Sequence, residues 1–108
     1  MSISNIDSLD KDLYAGLIRL HVLHHADEHP VFGQWIIDEL ARHGYKLSAG
    51  TMYPLLYGLE RKGYLRATPQ RKDGRLRRLY RITPAGRRAL AAAKVKVQEL
   101  FGELFEES

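Results

Sequence analysis

At 108 residues and 44% apolar side chains, the chain is large enough for one domain with its own core and too apolar for a disordered tail. It contains no cysteine, which excludes a disulfide framework, a thiolate metal site and a thiol nucleophile. The formal net charge of +4 conceals a segregation: Arg61 to Arg88 holds eleven Lys or Arg against one acid, Asp73, a net of +10, whereas the remainder holds six basic and twelve acidic residues, a net of −6.

Such a chain has one face that attracts polyanions and another that does not. No apolar run is long enough to span a bilayer, and the first seven residues lack the basic start and apolar stretch of a signal peptide. A cytoplasmic protein without membrane contact is expected. No internal repeat or low-complexity tract is present.

Asp7 or Ser8 can cap a first helix that runs to about His25, with Leu9, Leu13, Leu17 and Leu20 at helical spacing. Tyr14, Ile18, Val22 and Leu23 widen its apolar surface, so neighbours on more than one side are expected. The stretch from Ala26 to Gly33, punctuated by Pro30 and Gly33, breaks it. A second helix is predicted from about Gln34 to His43, with Ile36, Ile37, Leu40 and Ala41 as its buried stripe. Gly44 then fits the left-handed position after a helix end. Tyr45 to Leu47 reads as a connector or a short strand.

Ser48 can cap a third helix, to about Lys62, whose Met52, Leu55, Leu56 and Leu59 face the core. Gly50, Tyr53, Pro54, Tyr57 and Arg61 lie on the opposite face. Pro54 removes a backbone donor, so either the first turn is tight or Thr51 is the effective cap. Gly63 repeats the left-handed end signal. Two extended runs follow around Asp73-Gly74, a tight-turn signal, with Tyr80 and Ile82 facing inward. Thr83 and Pro84 open a last helix as N-cap and first residue. Its Leu90, Ala93, Val97, Leu100 and Leu104 follow a three-four alternation that Phe101 and Phe105 broaden, a seam suited to pairing with a second copy.

A helix followed by a basic hairpin is the layout of a winged-helix DNA reader, an α+β fold that is mostly α. On this reading residues 1–83 form the winged-helix DNA-binding domain with its N-terminal helix, and residues 84–108 the dimerisation helix. The DNA-facing candidates are Lys46, Ser48, Gly50, Thr51, Tyr53, Tyr57 and Arg61 around the helix, and Arg71, Lys72, Arg75, Arg77 and Arg78 in the hairpin. Tyr53 and Tyr57 can touch DNA, or one of them can pack under the wing. Ser48 and Thr51 can cap the helix and also face a phosphate.

The segments Phe32-Gly33, Glu39-Leu40, Gly44-Tyr45, Leu59-Glu60 and Gly63 to Leu65 carry a resemblance. So does Leu47 to Leu56, which reads Leu-Ser-Ala-Gly-Thr-Met-Tyr-Pro-Leu-Leu, and so does Arg77 to Thr83 with Gly86. Together they resemble the PadR family of bacterial transcriptional regulators, over roughly Leu13 to Leu90. The resemblance implies a winged-helix homodimer on double-stranded DNA that represses a neighbouring operon or its own gene. A single C-terminal helix resembles the small subfamily. Some small members bind planar hydrophobic compounds between subunits through a tryptophan on the last helix. Here the one tryptophan is Trp35, on the second helix, and it is the candidate for lining an effector pocket or for packing in the core or subunit interface.

Four of the five histidines, His21, His24, His25 and His29, lie beside Asp27 and Glu28. His21 and His25 share a helical face at a spacing that could hold zinc. A second ligand pair at defined spacing is lacking, so a titratable helix end is expected and neither a metal nor a cofactor. A metal-responsive sensor and a winged-helix protein-interaction module are the alternatives to DNA-binding regulation. An enzyme is not expected, because the sequence has no phosphate loop, Gly-x-Ser-x-Gly elbow or His-Glu-x-x-His string.

Overall fold

The first helix, α1 (Lys11–Glu28), starts at Asp10, whose carboxylate accepts the Leu13 N–H at 3.0 Å. The structure is a computed structural model and describes residues 10–106. Asp7, Ser8 and Leu9 lie outside them. The core takes one side of α1, that of Ile18, Val22, Leu23 and Ala26. Leu13 and Leu17, expected on the buried stripe, stand 70% and 44% exposed. Both follow helical spacing, but a helix apolar on two sides does not reveal from spacing alone which side its own domain covers.

The predicted break after His25 comes later and holds a strand. α1 continues to Glu28, and β1 (Val31–Phe32) follows at once. β1 pairs antiparallel with β3 (Arg75–Ile82), placing Val31 opposite Tyr80 and Phe32 opposite Leu79. β2 (Leu65–Lys72) pairs along the other edge of β3, so the sheet order is β1–β3–β2. Pro30, just before β1, limits pairing on that edge.

α2 (Gly33–Arg42) buries Ile36 and Leu40 and ends as expected, with Gly44 at φ 90°. The residues after it form a connector and not a strand. Tyr45 N–H returns to the Leu40 carbonyl at 2.9 Å, and buried Leu47 pins the chain to the core. α3 (Ala49–Arg61) starts at Ser48 and contains Pro54. The Ser48 carbonyl accepts both the Thr51 N–H (3.1 Å) and the Met52 N–H (2.9 Å), so the first turn is tight and Ser48 is the cap residue. Met52, Leu55, Leu56 and Leu59 are buried as expected.

Strands β2 and β3 form the wing. Asp73 and Gly74 both have positive φ (53° and 76°), as a two-residue turn matching the strand twist requires. α4 (Pro84–Phe101) follows, with a wider π-helical turn at Gly102–Glu106. Thr83 Oγ1 accepts the Gly86 N–H at 2.9 Å and donates to the Gly63 carbonyl at 2.6 Å, so one hydroxyl caps α4 and ties it to the end of α3. A side chain at Gly86 would collide with the Tyr64 carbonyl, and this close approach brings α4 onto the sheet.

One core joins these elements: Val22 of α1, Ile36 and Leu40 of α2, Met52 and Leu56 of α3, and Leu65 and Tyr80 of the sheet are almost fully enclosed. Burying each such side chain contributes roughly 1.5–3 kcal/mol. α4 adds Leu90 and then runs out of the core.

Candidate nucleic-acid interface

The outer face of α3 presents Gly50, Pro54, Tyr57 and Arg61 to solvent, and Lys46 and Ser48 are exposed just before it. Thr51 is half-buried, and Lys11 donates to its Oγ1 at 3.4 Å. The Ser48 hydroxyl makes no cap bond to the backbone and donates instead to Thr51 Oγ1 at 3.4 Å. The positive end of the α3 dipole therefore emerges beside two hydroxyls and Lys46, a setting that favours an anion.

Tyr53 is held in place rather than free on this face. Its ring lies on the bare backbone of Gly33, where a Cβ would approach it to 2.5 Å. Tyr57 lies 6.3 Å from Tyr53, ring to ring, and the Arg78 guanidinium stands over it at 5.8 Å. Of the two tyrosines, Tyr57 is the one facing the wing.

Arg78 is placed differently from the other wing cations. Its Nη2 donates to both carboxylate oxygens of Glu60, at 2.8 and 2.9 Å, and its Nε to the Tyr80 hydroxyl at 3.3 Å. Its pKa lies above the usual arginine value because it donates to Tyr80 and Glu60, which favours the charged form. Burial raises the Tyr80 pKa, which keeps that hydroxyl protonated.

The strand register divides the remaining cations. Arg71 pairs with Leu76 and Pro69 with Arg78, so Arg71 shares the α3-facing side with Arg78. Lys72 pairs with Arg75 and Gln70 with Arg77, on the other side. Arg71, Lys72 and Arg75 are exposed at the tip. Lys72 reaches back over the Phe32 ring at 5.6 Å. Arg77 is half-buried, with its Nε enclosed and without a hydrogen-bond partner among the described residues. The surface therefore combines an open helix start, one braced arginine and a tip with three exposed cations.

The model of the transcriptional regulator PadR-like family matches residues 22–92. The chain belongs to that family. It is 46% identical over 94 residues to the transcriptional regulator Rv3488 of Mycobacterium tuberculosis, covering 87% of this chain and 88% of the relative. A solved PadR family transcriptional regulator from Eggerthella lenta DSM 2243 superposes with a TM-score of 0.78 at 30% identity, over 95% of this chain and 94% of that one. A PadR-like transcriptional regulator from Bacillus cereus has the same fold, with a TM-score of 0.76 at 24% identity over 90% and 99%. The chain is thus a PadR-like transcriptional regulator with a winged-helix fold, and the family is one of regulators rather than enzymes.

In this PadR-like chain the expected α4 seam splits. Leu90 is 4% exposed within the chain's own core and Ala93 is half-buried. Val97, Leu100, Phe101 and Leu104 remain in solvent, as do Leu13 and Leu17 of α1. Between these helices lies an apolar groove of about 440 Å³, lined by Leu17, Leu20, His21, Leu90, Val97 and Phe101 among others. Trp35 is not among its walls. It packs edge-on against His25 and His29, at 5.7 and 4.8 Å.

His21 and His25 stack in parallel on α1, and His43, which caps the end of α2, stands 5.1 Å from the first and 5.9 Å from the second, ring to ring. Two participants were not singled out from the sequence. Glu60 lies 18 residues from its partner Arg78. His43 belongs with Glu39 in a Glu-x-x-x-His pair on α2, and that four-residue spacing is the signal that could have found it.

Proposed function

We propose that this regulator is a sequence-specific DNA-binding repressor acting as a homodimer on an inverted-repeat operator. The observation that carries the reading is the wing: Arg71, Lys72 and Arg75 stand exposed at its tip, and Arg78 braces it against Glu60 near the end of α3, whose N-terminus is open to solvent. In this arrangement Ser48, Gly50, Thr51, Tyr57 and Arg61 of α3, with Lys46, face a groove, and the wing cations hold flanking phosphates. Tyr53 orients α3 from beneath. Cytoplasmic location accompanies this role.

Pairing follows from the apolar surface left in water. Val97, Leu100 and Phe101 of α4 and Leu104 of the π-helical turn, beside Leu13 and Leu17 of α1, form an apolar face that a second copy would cover. The last helix thus serves both units, with the first turns of α4 completing the winged helix and its later turns pairing. The groove between α1 and α4 would then open onto the interface and could take an apolar effector.

The test is selection of bound sequences from a random duplex library by the purified protein, followed by titration of the enriched duplex at several salt concentrations. The expected product is an inverted repeat whose half-sites lie near one DNA turn, about 34 Å, or a multiple of it. Affinity should fall steeply with salt. A library that yields no motif would overturn sequence-specific binding, and affinity insensitive to salt would point to a protein-interaction module.

A further inference from the structure

The histidines of α1 meet a second ligand pair that sequence spacing along α1 alone does not reveal. His21 and His25 are four residues apart on α1. Glu39 of α2 and His43, at the C-terminal cap of that helix, are four apart. The two helices pack so that the pairs face each other. One ligand nitrogen from each of His21, His25 and His43 falls within 4.8 Å of the others. Glu39 Oε2 lies 3.2 Å from His43 Nε2 and 3.9 Å from His25 Nε2. We propose that His21, His25 and His43 bind one divalent transition-metal ion of the zinc class, with Glu39, which adjoins His25 and His43, as the further ligand.

His25 is the strongest argument. It is 7% exposed, and both ring nitrogens are enclosed without a hydrogen-bond partner among the described residues. A buried polar group in that state calls for a ligand. Glu28 Oε1 lies 3.4 Å from His25 Nδ1, on the side away from Glu39. A carboxylate so placed orients a metal-bound histidine and leaves Nε2 to the ion.

The donor set fixes the class of ion. Three imidazoles and one carboxylate suit zinc, nickel or cobalt, and not magnesium or calcium, which take oxygen ligands. Tetrahedral zinc with nitrogens about 2.0–2.1 Å away separates its ligands by about 3.4 Å, so side-chain rotation of roughly an ångström closes the site. The His21 pKa lies below the usual histidine value, chiefly through burial and then through the neighbouring His43, His25 and His24, while Glu39 opposes the shift. His24, His25 and Glu28 form a second possible group, but they lie on one helix and two of the three are exposed.

The test uses the full chain, freed of metal by a chelator and of any histidine tag. Zinc is titrated in competition with a chromophoric chelator, and cobalt is added separately to read geometry from its visible spectrum. One ion per chain is expected, with an intense tetrahedral cobalt spectrum. His43→Ala and His21→Ala should each weaken zinc binding roughly tenfold or more, and His24→Ala should leave it unchanged. His43 is exposed, so its replacement should keep the fold, and far-ultraviolet circular dichroism checks this. Absence of stoichiometric binding would overturn the proposal. So would affinity that survives His43→Ala, or that is lost in His24→Ala, which would move the ion to the outer face of α1.

Discussion

Arg78 bridges both carboxylate oxygens of Glu60, at 2.8 and 2.9 Å, and so fastens the wing to α3. Both side chains are partly exposed, at 48% and 32%, so the pair adds at most about 1 kcal/mol to stability. Its value lies in geometry, because it fixes the angle at which the wing leaves α3. The two consequences of removing Glu60 therefore have opposite signs. Glu60→Ala deletes an acid near DNA, which should raise affinity for random duplex. It also releases the wing, which should lower affinity for the operator. Fluorescence anisotropy on both duplexes should show the specificity ratio falling while the melting temperature stays nearly constant. A ratio unchanged from the parent would show that the pair does not position the wing.

The wing cations should not be equivalent. Arg71 and Arg75 are exposed, and their replacement by alanine should each flatten the dependence of log affinity on log salt by roughly one unit. Arg77, with its enclosed Nε, should change that slope less and lower the melting temperature more. Titrations from low to moderate salt distinguish the three.

The two ends of the α4 apolar stripe should respond in different ways. Leu90 is in the core, so Leu90→Ala should cost about 2–5 kcal/mol of stability by leaving a cavity. Leu100 is 53% exposed, so Leu100→Asp should spare the fold of the single chain. It should instead bury a charge in any paired state, yielding a monomer that no longer holds the operator. Light scattering and urea denaturation on both variants check this contrast. A dimeric Leu100→Asp protein with normal operator binding would place the pairing surface elsewhere.

Two glycines give a matched stability test. Gly86→Ala would push a methyl into the Tyr64 carbonyl and Ile82, which should cost about 1–3 kcal/mol or displace the start of α4. Gly16 lies in α1 with nothing within 4 Å of its would-be Cβ. Gly16→Ala should stabilise by roughly 0.5–1 kcal/mol. Equal shifts in the two variants would contradict the packing of α4 on the sheet.

Local chemistry made much of this architecture readable in advance. Gly44 and Gly63 end their helices in the left-handed region, Asp73-Gly74 turns the hairpin, and Thr83-Pro84 opens α4, each by a rule that acts within a few residues. What escaped depends on distant partners. β1 is two residues long and exists because Leu79 and Tyr80, nearly fifty positions later, offer it an edge. Leu13 and Leu90 look alike in an apolar pattern, yet one is exposed and the other enclosed. Among the interface candidates, the basic tip was visible as charge, whereas the Arg78–Glu60 brace and the seat of Tyr53 required the packed structure. The same holds for the facing pairs of α1 and α2, since nothing in either helix alone says that it meets the other through histidine.

The seat of Tyr53 on Gly33 also constrains how this lineage can diverge. A side chain at position 33 would run into the ring at position 53, so position 33 can enlarge only if that ring moves or is lost. Either change would shift the seat of α3 on α2. Related regulators should therefore keep these two positions together or change them together.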